Sequence, residues 1–194
     1  MTKAEWISVI KNTLRKIDEQ GVFFEPFLER HIQSVYEQMY NELYKTEKKT
    51  FSKYTSIVTE DVLADTSLAD GRTIPTLPIS LPRENGGVFD FYVGDDRFIL
   101  TSYEGFLNAK ESRFDTAGMK GVYLASVINN KIYADYSTGG AATLSYRIIP
   151  KFTALASTAE VIIPMGMEDH FIDRVIMTVQ QIPPTDLIND NTIQ

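Results

Sequence analysis

The chain holds two histidines, His31 and His170, and no cysteine. A zinc centre needs several nitrogen or sulfur ligands at short, characteristic spacings, such as H-E-x-x-H along one helix. Neither histidine has a second at such a spacing. The missing cysteines remove disulfides, thiol nucleophiles and iron–sulfur ligation together. His31 falls beside the apolar stripe of a helical segment, and His170 follows Glu168-Asp169 in the first turn of another. Both read as surface or capping residues. A Ser-His-Asp constellation is defined by geometry rather than sequence position, and no G-x-S-x-G elbow marks one here. Gly86-Gly87 and Gly139-Gly140 lack the G-K-[ST] that completes a P-loop, and neither opens a G-x-G-x-x-G, so they read as turn glycines. Asp90, Asp95 and Asp96 could gather at a calcium ion. Without a D-x-[DN]-x-[DN]-G loop, a charged hairpin tip explains them more simply. Tyr103, Phe106, Tyr123 and Tyr133, if exposed, would make a sugar- or protein-contact surface. No catalytic, metal or cofactor-binding residue is assigned. The chain is read as a non-enzyme that needs no cofactor.

Composition sets the remaining bounds. At 194 residues and 22.0 kDa, one domain is expected. An apolar fraction of 43% is enough for an independent core. No stretch has the length and purity of a membrane span. The start, MTKAEWISVI, carries no basic stretch followed by an apolar one, so no secretion signal is expected. The net charge of −7 disfavours sequence-blind binding to phosphate backbones. It is compatible with a surface that DNA slides past.

The stretch Thr143 to Ile182 organises the rest. A strand, Thr143 to Ile149, stops at Pro150, which cannot donate a ladder hydrogen bond. A second apolar run, Ala159 to Ile163, is stopped by Pro164. Met167 to Gln181 then reads as a helix with its apolar stripe at Phe171, Ile172, Val175, Ile176 and Val179. At the other end, Thr2-Lys3-Ala4-Glu5 fits a capping box that opens a helix over residues 1–21, closed by Gly21. Glu25-Pro26 opens a second helix, with Leu28, Ile32, Val35, Met39 and Leu43 in its stripe and Tyr36 and Tyr40 widening it. Val22-Phe23-Phe24 would join the two as a hairpin, and Lys45 to Lys49 is a solvated connector. Between these ends the chain is β-rich. Tyr54 to Thr59, Val88 to Val93, Arg97 to Ser102, Val122 to Ile128 and Lys131 to Tyr136 read as strands. Gly94-Asp95-Asp96 and Asn129-Asn130 mark hairpin turns, since asparagine tolerates positive φ. Ser137 to Ala141 is a further turn. Asp61 to Pro82 is a long irregular loop.

The expected fold is therefore α+β: an N-terminal helical hairpin (1–46), a section of five to seven antiparallel strands in a sandwich or open barrel (51–163), a C-terminal covering helix (165–182), and an extended tail (183–194).

Three blocks resemble the head–tail connector proteins of tailed bacteriophages, the neck, adaptor or collar-ring proteins. The first is the helical hairpin with its entry to the second helix, Phe23 to Leu43. The second is Ile79-Ser80-Leu81-Pro82 followed by Gly86-Gly87-Val88-Phe89-Asp90-Phe91-Tyr92-Val93. The third is Leu144-Ser145-Tyr146-Arg147-Ile148-Ile149-Pro150, then Val161-Ile162-Ile163-Pro164 and a helix that starts with acidic residues. The blocks span nearly the whole chain in order. The sections Asp61 to Pro78 and Tyr103 to Tyr136 are long for a minimal adaptor and look more like the elaborated collars of short-tailed phages. The resemblance implies a structural virion protein. Copies would form a ring, often twelvefold, against the portal protein, extend the channel that genomic DNA traverses without specific binding, and dock the next neck or tail protein. Neither a membrane nor a cofactor is implied. The chain would be assembled in the host cytoplasm and reside in the virion neck. A heterologous ring contact needs two different complementary patches on each subunit. Val62, Leu63, Leu68, Ile74 and Leu77 in the long loop, and Leu187 and Ile188 in the tail, are the residues expected to form them. The competing readings are a non-catalytic β-sandwich that binds protein or carbohydrate, and a hydrolase with a spatially assembled site.

Overall fold

The computed structural model describes residues 1–17, 24–46, 51–62, 68, 70–79, 81, 87–111, 123–134 and 142–181. The chain divides into two compact units. One is helical and discontinuous, built from Met1–Thr46 and Lys151–Gln194, and the other is the sheet unit Glu47–Pro150. One boundary between the units falls after the second helix, at Thr46. The other falls at Pro150, so the run Ala159 to Ile163 belongs with the helices.

In the helical unit, α1 is Lys3–Ile17, α2 is Glu25–Thr46 and α4 is Glu168–Gln180. The capping box at α1 is formed reciprocally. The Thr2 amide donates to Glu5 Oε2 at 2.8 Å, and the Glu5 amide donates to Thr2 Oγ1 at 3.3 Å. Lys3 pairs with Glu29 at 3.2 Å and Lys11 with Glu25, so α1 and α2 run antiparallel. The apolar stripes meet in a core of Trp6, Ile10, Leu14, Leu28, Ile32, Tyr36, Met39, Phe171, Val175 and Val179, all buried. Aromatic edges interlock there, with Trp6 and Phe171 T-shaped at 5.4 Å and Tyr36 and Tyr40 at 4.8 Å. Burial pushes the Tyr36 phenol well above its usual range.

The segment 152–164 laces these helices together. The Tyr40 hydroxyl donates to the Ile162 carbonyl. The Val161 amide donates to the Met1 carbonyl at 3.0 Å, and the Lys3 amide to the Ala159 carbonyl at 2.9 Å. The Lys3 ammonium is buried, yet it is well supplied. It has Glu29, the Leu155 carbonyl at 3.1 Å and the face of Phe152 at 5.6 Å.

The sheet unit is one curled, mixed, seven-stranded sheet, an open half-barrel. Its strands are β1 (Ser56–Val62), β2 (Arg72–Thr73), β3 (Val88–Val93), β4 (Asp96–Leu100), β5 (Tyr123–Ile128), β6 (Lys131–Ala134) and β7 (Ala142–Ile148), in the spatial order β1-β7-β3-β4-β5-β6-β2. The α+β expectation, with helices at both ends of a β-rich middle, is what the chain adopts. Two local expectations are corrected. The sheet is not wholly antiparallel, because β4 and β5 pair in parallel. The connection between them contains a helix, α3 (Tyr103–Glu111), where only strands were expected. A parallel pair needs a crossover rather than a tight turn, and α3 lies in that crossover.

The hairpin turns are as read. Asn129 and Asn130 both take positive φ, 50° and 60°, between β5 and β6. Asn130 also donates through Nδ2 to the Ile74 carbonyl at 2.9 Å. Gly94, at φ 59°, turns β3 into β4. Gly87 lies immediately before β3 at φ 81°, and a Cβ there would sit 2.3 Å from the Ile79 carbonyl oxygen. Only glycine fits that approach. The inward face packs Phe91, Val93, Phe98, Ala125, Val127, Ile132, Leu144, Tyr146 and Ile148 into one core, with Val58, Leu100 and Tyr123 at its margin. The Gly21 cap, Val22 and Phe23, Glu47 to Lys49, the Ser137 to Ala141 turn with Gly139-Gly140, Gly86 and the tail 183–194 lie outside the described residues.

Candidate contact surface

Strand alternation decides which side chains the sheet unit offers to solvent. In β1, Val58 points to the core, so Ile57 and Thr59 point away. Register carries this outward face across the sheet. Ile57 is opposite Arg147, which is opposite Asp90. Thr59 is opposite Ser145, then Tyr92, then Arg97. Asp90 stands between the two arginines, with Arg97 Nη2 at 3.0 Å from Oδ1 and Arg147 Nε at 3.7 Å from Oδ2. Two guanidiniums share one carboxylate, so the cluster keeps a net charge of +1 (2 − 1) on a chain whose total is −7. Apolar groups flank it: Ile57 is 60% exposed and Ile99 is 53% exposed. β1 is an end strand of the sheet, matched to β7 over seven consecutive residue pairs, and contains neither proline nor lysine. Its charged residues, Glu60 and Asp61, are of the kind that commonly blunts natural edge strands.

The helical unit offers the opposite sign. Asp169, Asp173 and Met177 recur every four residues along α4 and are exposed on one face, while Phe171, Val175 and Val179 face inward. Met177 is 61% exposed, and Met165, just ahead of the helix, is 97% exposed. A tight turn holds Met165 out. The Met167 amide donates to the Pro164 carbonyl at 3.0 Å, Gly166 takes φ 83°, and its amide donates to Glu168 Oε2 at 2.7 Å.

A cleft of about 310 Å³ runs along α1, lined by Lys3, Lys11, Arg15, Glu25, Glu29 and Ser157 among others. Lys3–Glu29 and Lys11–Glu25 cross it as helix-to-helix ion pairs, which gives its charges a structural role.

Among the described residues, those expected to form contact patches do not share one environment. Leu68 and Ile74 are buried in the sheet core and offer no surface. Leu77 is exposed. Val62 closes β1 opposite Ala142. Leu63, Leu187 and Ile188 lie outside the described residues. The outward row of Ile57, Arg147, Asp90, Arg97 and Ile99 was not singled out from sequence. Its signal was the period-two alternation, which shows Ile57 and Ile99 as apolar residues out of phase with Val58 and Phe98.

The readings of chemistry resolve in the same way. Asp90 is committed to the arginines, while Asp95 is exposed at the β3–β4 turn. Among the described residues, no three histidine or carboxylate side chains gather where a metal ion could sit. His31 packs against Phe27 at 4.3 Å with the rings tilted by 54°, and partial burial lowers its pKa. His170 is exposed on α4. Of the four aromatics, Tyr103, Tyr123 and Tyr133 are half-buried, and Tyr103 lies 6.4 Å from Phe106. Phe106 is buried, Tyr103 meets Tyr133 edge-on at 5.4 Å, and Tyr123 stacks on Phe98 at 5.1 Å. No helix among the described residues is long and apolar enough to cross a membrane. No protein-family model matches the chain, and a search of curated proteins finds no similar sequence.

Proposed function

We propose that the protein is a structural subunit of a ring in the neck of a tailed bacteriophage. The ring would lie between the portal and the tail, extend the DNA channel, and dock the next tail component. The ordered sequence blocks described above suggest the family. One observation carries the assembly role: each compact unit exposes apolar side chains beside charges of a different sign. The sheet unit has Ile57 and Ile99 beside Arg97 and Arg147. The helical unit has Met165 and Met177 beside Asp169 and Asp173. A head-to-tail contact between identical subunits requires two different, complementary patches on each copy. The acidic total of −7 suits a conduit that phosphate backbones must traverse without adhering.

The test is the native mass of the purified chain, with negative-stain images of the same sample and its copy number in intact particles. A closed ring, or ring-like copy number at the neck, is the expected result. A monomer that is also absent from particles would overturn the reading. It would favour a binding module instead.

A further inference from the structure

We infer that the exposed face of α4 in one copy docks on the outward face of the sheet in the next copy. The occupant of the Arg97–Asp90–Arg147 surface is thus a second copy of this chain. The inference deepens the ring-subunit reading and rests on it.

Charge, apolar character and spacing all argue for the match. The sheet face carries two arginines with one carboxylate between them, flanked by Ile57 and Ile99. The α4 face carries Asp169 and Asp173, with Met177 one turn beyond and Met165 ahead. From Asp169 to Met177 the helix rises about 12 Å. From β7, which bears Arg147, to β4, which bears Arg97, is two strand spacings, about 10 Å. A helix laid across these strands can therefore set Asp169 over Arg147 on β7 and Met177 over Ile99 on β4 in one register, with Asp173 falling between the two arginines. Asp90 leaves room for this, because a lone carboxylate between two guanidiniums does not use up their donors. Methionine suits the contact, being unbranched and able to fill an irregular apolar surface. The two faces belong to different units and differ in sign, so the contact is heterologous: each copy both gives and receives it.

Charge reversal in the full-length chain tests this. Arg97→Glu makes both faces acidic, and Asp169→Arg/Asp173→Arg makes both basic. Each variant should lose self-association by about tenfold or more in sedimentation experiments. Mixing the two should restore it, because each then offers the other an opposite face. Disulfide trapping gives an independent readout in this cysteine-free chain. Chains bearing Ile99→Cys mixed with chains bearing Met177→Cys should join on oxidation, in excess of a control pairing Thr73→Cys with Met177→Cys. Self-association unaltered by both reversals, or a 99–177 link no stronger than the control, overturns the inference. Its failure is distinguishable from that of the ring. Closed rings without the 99–177 link would leave the ring reading standing and remove this contact. A 99–177 link in assemblies that never close would keep the contact and remove the ring.

Discussion

Arg174 on α4 grips Glu42 on α2 through both carboxylate oxygens, Nη1 to Oε2 at 2.7 Å and Nη2 to Oε1 at 3.0 Å. Nη2 also reaches Gln38 Oε1 at 3.4 Å. The fork ties the C-terminal helix to a helix made more than a hundred residues earlier. The Arg174 guanidinium holds the Glu42 carboxyl below its usual value of 4.5, and Glu42 in turn raises Arg174. Because the folded carboxyl is the stronger acid, the pair stabilises the fold above about pH 4.5. That contribution disappears as pH falls through the lowered folded value. Glu42 is largely solvent-exposed, so the contribution is modest, below about 1 kcal/mol. Arg174→Ala should lower the urea midpoint slightly near neutral pH, and by less once the pH falls below the Glu42 carboxyl's lowered value. Arg174→Lys, which keeps the charge and loses the fork, should fall between the two.

The Tyr40 hydroxyl and the Phe171 ring make separable contributions to the helical unit. Tyr40→Phe removes the donor to the Ile162 carbonyl and should cost about 1 kcal/mol. Phe171→Ala empties a position that meets both Trp6 and Tyr36 and should cost about 3–5 kcal/mol. Denaturant titration followed by near-ultraviolet circular dichroism separates them, because only the second change should disturb the Trp6 environment.

The β5–β6 turn predicts opposite outcomes for two adjacent glycine substitutions. Both asparagines sit at positive φ, which glycine adopts without strain. Asn129→Gly should be neutral or mildly stabilising. Asn130→Gly also removes the donor to the Ile74 carbonyl and should be destabilising by about 1 kcal/mol. Melting temperatures that move in the same direction and by equal amounts would contradict this account.

Under the ring-subunit proposal, deleting residues 184–194 should leave the melting temperature unchanged and impair incorporation of the chain into particles. The segment holds only three large apolar residues, Leu187, Ile188 and Ile193, among polar ones, too few to anchor a core but enough for a late docking contact. Particle content measured by quantitative mass spectrometry decides it. Undiminished incorporation would discard the tail as a docking element.

Local chemistry made some of this molecule readable from residues alone. Thr2 and Glu5 announce a capping box, and the box forms. Asn129-Asn130 announces a tight turn, and both residues take positive φ. The α4 stripe is likewise visible, because an apolar period of about 3.6 leaves few alternatives. α3 was hidden because Phe106, the one buried apolar side chain among its described ones, makes no stripe, and Gly105 lies within it. The parallel pairing of β4 with β5 could not be read, since strand partnership depends on what packs across the sheet rather than on either strand's sequence. Leu68 and Ile74 misled for a related reason. Apolar residues in a loop suggest a docking patch until the sheet core is seen to absorb them. The outward arginine cluster joins residues from β3, β4 and β7, up to 57 positions apart (147 − 90), and only register brings them together.

The helical unit is split in the chain by residues 47–150, an interruption of 104 residues (150 − 46). At roughly 5–20 residues per second, the ribosome needs about 5–20 s to bridge that gap. During that interval α1 and α2 exist without α4 or the lacing segment that covers their apolar stripes. The sheet unit meanwhile receives its last strand with Ile148 and can close first. Translation products that end shortly before Phe152 would carry a finished sheet and two uncovered helices, and these, rather than the complete chain, are the species expected to aggregate during synthesis.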